Sequence, residues 1–119
     1  MAYVYMLKCE DGSFYTGSTL DVEKRIKEHV LKLPSAAKYT RSHTVIEVSA
    51  VWETASLSFA YKLEYFIKKK LSHAEKAQLV SNPENLDSFI TDSLRSNKYF
   101  YAIERHQKLN NAIYKQRQN

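Results

Sequence analysis

The feature that most restricts the fold lies in residues 2–17. Residues 2–9 are almost all β-branched, aromatic or aliphatic, residues 10–13 read Glu-Asp-Gly-Ser, and residues 14–17 read Phe-Tyr-Thr-Gly. Two strand-forming segments separated by an acidic, glycine-containing turn are typical of a β-hairpin. The chain therefore opens with an antiparallel pair of strands, and an all-helical fold is excluded.

The hairpin turn leaves two strand registers open. A two-residue turn places Tyr5 and Tyr15 on opposite faces of the hairpin. A three-residue turn, with Gly12 in the left-handed conformation, pairs Gly17 with Tyr5 and brings both tyrosines to one face. The register therefore decides whether the two phenols can act together.

Composition excludes several classes of protein. A length of 119 residues suits one hydrophobic core, and 44% hydrophobic with 26% charged residues is typical of a soluble globular chain, so no membrane role is expected. The first residues lack the pattern of a secretory signal, and the single cysteine cannot form an internal disulfide, so we expect a cytoplasmic protein. Two glycines allow no glycine-rich phosphate loop, while a net charge of +5 favours an anionic partner such as DNA.

Hydrophobic periodicity predicts the elements that follow the hairpin. Asp21 caps a helix that runs to about Leu33, residues 34–43 form a loop, and residues 45–53 form a strand with Val48, Ala50 and Trp52 on one face. Further helices are predicted over residues 56–71, 73–80 and from residue 82, with another from residue 97. Glu64 is expected in the middle of the apolar stripe of the second helix, and Leu63 at its margin.

Three ionisable side chains project toward the sheet from helices whose other inward positions are apolar. They are Arg25, His29 and Glu64. Burying such groups costs several kcal/mol unless they are paired or hydrated. Each alone has an ordinary structural interpretation, but together with two phenols they supply what phosphodiester hydrolysis requires: a cation for phosphate oxygens, a carboxylate for a divalent metal, and groups that handle water.

These residues resemble the motifs of the GIY-YIG nuclease superfamily. Tyr-Val-Tyr at 3–5 and Tyr-Thr-Gly at 15–17 stand for the two defining tripeptides, and the segments around Arg25, His29 and Glu64 follow in order. The likeness extends from residue 2 to about residue 80 and is closest to the small single-domain bacterial members, which are similar to the nuclease domains of excision-repair and structure-specific endonucleases.

The resemblance implies a role for each candidate residue. Tyr5 and Tyr15 would handle the attacking water, Arg25 would stabilise charge on the phosphate, and His29 would assist by hydrogen bonding or proton transfer. Glu64 would ligate Mg²⁺ or Mn²⁺. The residues expected to line the substrate groove are Lys38, Tyr39 and Thr40. The implied activity is metal-dependent endonuclease cleavage of DNA, with branched and repair-related substrates included.

The implied fold is α+β: a small three-stranded antiparallel β-sheet flanked by helices, with a C-terminal helical extension. We assign residues 1–82 to the nuclease-like domain and expect residues 83–119 to pack on that domain or on a partner chain, a second copy included.

A second interpretation stays open, because Ser18 stands where some relatives carry a lysine and no asparagine beyond Glu64 can be placed. It is a catalytically weak or inactive nucleic-acid-binding module. The remaining polar candidates, including the lysines at 68–70, His43 and His106, are interpreted as solvated surface.

Overall fold

The computed structural model describes residues 1–118 and combines one antiparallel sheet with six α-helices in that range. The strands are β1 (Ala2–Cys9), β2 (Phe14–Thr19), β3 (Val45–Thr54) and β4 (Phe100–Tyr101). The helices are α1 (Val22–Val30), α2 (Lys38–Ser42), α3 (Leu57–Lys70), α4 (His73–Ser81), α5 (Asp92–Arg95) and α6 (Ile103–Gln118), with a 3₁₀ helix at Pro83–Ser88. The α+β class and the flanking helices are as predicted.

The sheet has four strands in the order β2-β1-β3-β4, so the prediction of three strands was wrong. The additional strand has only two residues and pairs with Trp52 and Glu53 of β3. It comes from the segment after residue 97, which was predicted as helix. The hairpin strand β2 forms the opposite edge of the sheet.

The central strand β1 is buried on both faces. Ala2, Val4 and Met6 pack on one face against α3, α4 and the segment 83–94, whereas Tyr3, Tyr5 and Leu7 pack on the other against α1 and α6. Successive side chains of a strand point to opposite faces. The sheet is therefore a middle layer between two hydrophobic cores.

The hairpin adopts the three-residue turn. Gly12 has a φ of +84°, which is the left-handed conformation that this turn requires at its last position. Leu7 pairs with Tyr15 and Tyr5 pairs with Gly17. Of the two registers that the sequence allows, the structure has the one that places both tyrosines on a single face.

Strand β3 departs from the simple alternation that was predicted for it. Its register against β1 shifts twice, and at one shift Met6 pairs with Ala50 while Leu7 pairs with Val48, which leaves Ser49 as an extra residue. Val48 consequently packs with α1 and α6, whereas Ala50 packs with α3. The prediction that these two side chains share a face was wrong because a bulge reverses the alternation.

Helices α1 and α4 begin at their predicted caps, whereas α2 (Lys38–Ser42) lies in the segment that was predicted as a loop. The Asp21 carboxylate accepts from the backbone N–H of Lys24, but α1 ends at Val30 instead of Leu33, and Lys32 then takes a φ of +53°. Ser72 and Glu75 form the predicted capping box of α4. In α3, Leu63 is fully buried and Glu64 lies at the edge of the buried stripe, which corrects the prediction that Glu64 occupies its middle.

The segment after residue 82 is closely joined to β3. Asn110 of α6 accepts a hydrogen bond from the backbone N–H of Val48 at 2.6 Å and donates to its carbonyl at 2.8 Å. The Trp52 indole donates to the carbonyl of Pro83 at 2.8 Å. Within residues 1–118, no helix is long and apolar enough to cross a membrane.

Candidate active site

The polar residues singled out from the sequence gather along the edge strand β2. Tyr15 and Gly17 lie on the face of β2 that is turned toward α1, because Tyr15 pairs with Leu7 and Gly17 pairs with Tyr5. Ser18 pairs with Val4 and so faces α3. An edge strand leaves both sides accessible to helices, and here α1 contributes groups from one side while α3 contributes them from the other.

A line of hydrogen bonds runs from Tyr5 into the protein. The phenol of Tyr5 lies 2.8 Å from His29 Nε2, and His29 Nδ1 lies 2.6 Å from the hydroxyl of Thr40. Thr40 in turn donates to the carbonyl of Ala37 at 3.1 Å. Because the threonine proton is used there, its oxygen accepts from His29, so the imidazole carries its proton on Nδ1 and accepts the Tyr5 hydroxyl at Nε2.

Burial controls the protonation of this pair. His29 has no exposed surface, and burial, followed by the positive charge of Arg25, lowers its pKa from 6.5 to about 4. Burial also raises the pKa of Tyr5 far above 10, and the neighbouring Tyr15 adds to the effect while Arg25 opposes it. At neutral pH the pair is therefore a neutral phenol that donates to a neutral imidazole.

The second tyrosine packs against the same pair and is more accessible. The ring centroid of Tyr15 lies 6.3 Å from that of Tyr5 and 5.2 Å from that of His29. Tyr5 is buried, whereas Tyr15 is partly exposed. Gly17 leaves room for this arrangement, because a Cβ at that position would overlap the Tyr5 phenol. The glycine of the second tripeptide is thus required by close packing.

Arg25 is held in place by two neighbours that the sequence analysis did not identify. Its Nη1 donates to the carbonyl of Ser35 at 2.6 Å and to Glu28 at 3.2 Å. The Ser35 hydroxyl donates to the other Glu28 oxygen at 2.6 Å. Burial is the largest single effect on the pKa of Arg25 and would lower it, but the interactions with Glu28 and Tyr5 together outweigh burial, so the pKa is raised and the guanidinium stays charged.

Glu64 reaches the edge strand from α3. The hydroxyl of Ser18 donates to its Oε1, and the ammonium of Lys68 lies 2.8 Å from its Oε2. The Glu64 side chain is 21% exposed, so water and hydrated ions can reach it. Lys68 also lies over the ring of Tyr15, 5.3 Å from its centroid.

The three residues predicted to bind substrate all lie in the short helix α2, in different environments. Lys38 is exposed, and Tyr39 is partly exposed, with its hydroxyl donating to Ser13 at 2.5 Å. Thr40 has no exposed surface and lies behind His29. Thr40 therefore orients the imidazole and, in this arrangement, cannot line the groove as predicted.

An open hollow of about 370 Å³ lies beside Arg25 and Ser18. Its lining also includes Glu28 of α1 and Tyr61 of α3. The hollow is large enough for a phosphate group with its hydration and gives solvent access to the guanidinium. It is the natural place for an anionic substrate to approach.

Four residues of the site were missed by sequence reasoning: Ser18, Glu28, Ser35 and Lys68. For two of them a signal was present. Glu28 follows Arg25 by three positions and Lys68 follows Glu64 by four, which are the spacings at which helical side chains meet. The contact of Ser35 depends on the turn after α1 and has no local signature.

Glu64 is the carboxylate of this site that could bind a divalent metal. No cluster of three or more His, Cys, Asp or Glu side chains exists within the part of the chain that the structure describes. Mg²⁺ does not require one, because it commonly keeps several waters and binds one or two carboxylates together with substrate phosphates. Glu64, partly exposed beside the hydroxyl of Ser18, fits that mode of binding.

The fold and this arrangement of side chains define a class of protein. The family model described as the GIY-YIG catalytic domain matches residues 1–78, and the chain belongs to that family. All five of the residues Tyr5, Tyr15, Arg25, His29 and Glu64 lie within the matched range.

Among individual proteins, the chain is similar to members of the UPF0213 group. It is 46% identical over 90 residues to the UPF0213 protein FN1575 of Fusobacterium nucleatum, a match that covers 76% of this chain and 84% of that protein. It is 47% identical over 79 residues to the UPF0213 protein BH0048 of Halalkalibacterium halodurans, covering 66% and 81%. The solution NMR structure of the UPF0213 protein BH0048 from Bacillus halodurans matches with 45% identity and a TM-score of 0.41, covering 68% of this chain and 84% of that one.

Proposed function

We propose that this protein is a metal-dependent DNA endonuclease that hydrolyses a phosphodiester bond, acting in the cytoplasm. Membership of a family described by its catalytic domain favours an enzyme. In this proposal the nuclease-like domain comprises residues 1–82, with Tyr5, Tyr15, Arg25, His29 and Glu64 as its catalytic residues.

The observation that carries the proposal is the hydrogen-bonded line from Tyr5 through His29 to Thr40. A phenol is a poor base at neutral pH because its own proton must first be removed. Here the Tyr5 hydroxyl already points at an imidazole nitrogen that is neutral and able to accept that proton. A line of this kind has an evident chemical use beside a charged guanidinium and an open hollow.

The proposed step transfers two protons in concert. A water molecule attacks phosphorus, its proton moves to the Tyr5 oxygen, and the Tyr5 proton moves to Nε2 of His29. The bond from phosphorus to the leaving oxygen breaks, and that oxygen takes up a proton from solvent. The negative charge of a bound phosphate would raise the low pKa of His29 toward neutral pH, because a nearby negative charge favours the imidazolium.

The remaining residues orient the reactants and stabilise charge. Tyr15, which is the more accessible phenol, would orient the water. Arg25, fixed by Glu28 and Ser35, would contact the phosphate oxygens on which charge develops. Lys38 and Tyr39, which lie outside that hollow, would contact another part of the nucleic acid.

Glu64, with the hydroxyl of Ser18 beside it, would hold the Mg²⁺ or Mn²⁺ ion. Bound there, the metal would neutralise phosphate charge and polarise the phosphoryl group.

The test is cleavage of labelled plain, flapped and branched DNA with Mg²⁺ or Mn²⁺. We expect Tyr5→Phe to reduce kcat by about 10²-fold to 10⁴-fold, the usual contribution of a positioned proton-transfer group. Tyr3→Phe is the matched control, because Tyr3 lies on the same strand and the same face and packs instead under the guanidinium of Arg105, 4.9 Å from its ring centroid.

The expected pattern is a large loss in Tyr5→Phe, Arg25→Ala and Glu64→Ala, with near-normal activity in Tyr3→Phe. If the wild-type protein cleaves DNA and all three variants cleave it equally well, the assignment of these residues is refuted. Equal losses in Tyr3→Phe and Tyr5→Phe would show that the hydroxyl of Tyr5 has no special role.

A second candidate function is nucleic-acid binding without turnover. The observation that favours it is that both Glu64 oxygens are already occupied, one by the Ser18 hydroxyl and one by the Lys68 ammonium. This alternative predicts salt-sensitive binding, with a log-log slope of about −0.9 per neutralised phosphate of duplex DNA, and no cleavage with any divalent metal.

A further inference from the structure

Lys68 is the residue of the site whose position has no explanation so far. It was interpreted from the sequence as part of a solvated lysine run, yet its ammonium lies 2.8 Å from Glu64 Oε2 and 5.3 Å from the centroid of the Tyr15 ring. The carboxylate and the ring thus contact the ammonium from two directions. The side chain is 39% exposed and could have extended into water instead.

The pairing follows from the helix itself. Residues four positions apart in an α-helix lie above one another on the same face, and a glutamate that precedes a lysine by four positions has the favourable orientation. Glu64 and Lys68 are both within α3. Lys69, which is also exposed, is rotated by about 100° from Lys68 and points away from the carboxylate.

We propose that Lys68 is a positioning residue that acts as the resident counter-ion of Glu64, so that a divalent cation must displace its ammonium in order to bind. This inference rests on one part of the proposed function, the assignment of Glu64 as metal ligand, and it identifies a residue of this chain that sets how tightly the site takes up metal.

The physical reason is competition for one carboxylate. A Mg²⁺ ion binds a carboxylate oxygen at about 2.0–2.1 Å. With Ser18 on Oε1 and Lys68 on Oε2, an incoming ion would lie within a few ångströms of the ammonium, where two positive charges repel. The pair is also partly exposed, and such pairs are weak. The ammonium is therefore a displaceable competitor, and its removal should tighten metal binding by about twofold to fivefold.

The experiment measures metal binding with no nucleic acid and no turnover. The purified full-length chain is titrated with Mn²⁺, and free Mn²⁺ is followed by electron paramagnetic resonance. Lys68→Met keeps the length of the side chain and removes its charge. Lys69→Met removes the same charge from the neighbouring position and is the matched control. Glu64→Gln identifies which Mn²⁺ ion belongs to this site, and circular dichroism verifies that every variant is folded.

We expect the Mn²⁺ dissociation constant of Lys68→Met to be about twofold to fivefold lower than that of Lys69→Met. Glu64→Gln should lose the site. A dissociation constant in Lys68→Met equal to or higher than that of Lys69→Met, or no Glu64-dependent Mn²⁺ binding in Lys68→Met, would overturn the proposal. Cleavage assays separate the two ideas, because tighter binding without cleavage refutes only the nuclease, and cleavage with unchanged binding refutes only the counter-ion.

Discussion

Acid should destabilise this protein at a pH where most proteins are unaffected, because His29 is buried as a neutral imidazole. Its pKa is lowered from 6.5 to about 4, chiefly by burial. An unfolded chain exposes the same side chain to water, where its pKa returns to about 6.5. At about 1.4 kcal/mol per pH unit, the difference corresponds to about 3 kcal/mol of folding free energy.

The direction of the effect follows from proton binding. Between pH 6.5 and pH 4 the unfolded state binds a proton at His29 and the folded state does not, so the free energy of unfolding falls as the pH falls. The stabilisation that neutral His29 contributes is fully present above pH 6.5 and declines by up to about 1.4 kcal/mol per pH unit between pH 6.5 and pH 4. Below pH 4 it is lost and does not change further. Asp11, Glu28 and Glu75 have carboxyl pKa values lowered by hydrogen bonds, so their stabilising effect is lost only at more acidic pH.

The assay is urea unfolding from pH 7.5 to pH 4.5, for the wild type and for His29→Gln. Glutamine can still accept the hydroxyl of Tyr5 but has no proton to gain in this range. The two curves of stability against pH should converge as the pH falls, because only the wild type loses the His29 contribution. Parallel curves, or an NMR titration that gives His29 a pKa near 6.5 in the folded protein, would refute the reasoning.

Two further predictions concern packing around the phenol of Tyr5. Thr40→Val leaves Nδ1 of His29 without its acceptor, so it should lower the free energy of unfolding by about 1–3 kcal/mol and reduce cleavage. Thr40→Ser keeps the hydroxyl and should retain activity. Equal activity in the two variants would contradict this prediction. Gly17→Ala places a methyl group against Tyr5 and should cost about 1–3 kcal/mol in urea unfolding together with activity. Gly12→Ala has open space and only the strain of its positive φ, so it should lower stability without loss of activity, and a catalytic loss there would contradict the packing argument.

The hairpin was predictable because the turn residues and the strand-forming side chains on either side of them both indicate an antiparallel pair of strands. The sequence restricted the register to two alternatives, and the left-handed Gly12 selected the one that pairs Tyr5 with Gly17. His29 was predictable from helical phase, since it follows Val22 and Ile26 on the buried side of α1. These features depend on neighbours within one or two turns of chain, where local rules are strong.

Features that depend on distant pairing were not predictable in the same way. The bulge at Ser49 moves Val48 to the opposite face, and it exists only in relation to β1. The two residues of β4 are too few to produce an alternating pattern, so their pairing with Trp52 and Glu53 left no signal in the sequence. In both cases the information lies in the partner strand.

The sequence yielded a set of candidate residues but not the contacts that these residues make. The carboxylate partner of Arg25 is Glu28, which lies on its own helix and was not identified from the sequence. Glu64 pairs instead with Lys68, a residue assigned to bulk solvent because it stands in a run of three lysines. In both cases the partner lies three or four positions away on the same helix. Such pairs should be considered before pairs between distant elements when a sequence is interpreted.

Under the proposed function, the geometry would separate two kinds of chemistry across one strand. Alternation along β2 directs Tyr15 and Gly17 toward α1, where the protons of Tyr5 and His29 are buried, and directs Ser18 toward α3, where Glu64 and Lys68 meet solvent. A proton relay benefits from exclusion of water, whereas a metal ligand must remain accessible to a hydrated ion. A two-sided edge strand satisfies both needs at once. Metal binding and proton transfer should therefore respond to different substitutions, with Lys68→Met altering the first and Thr40→Val the second.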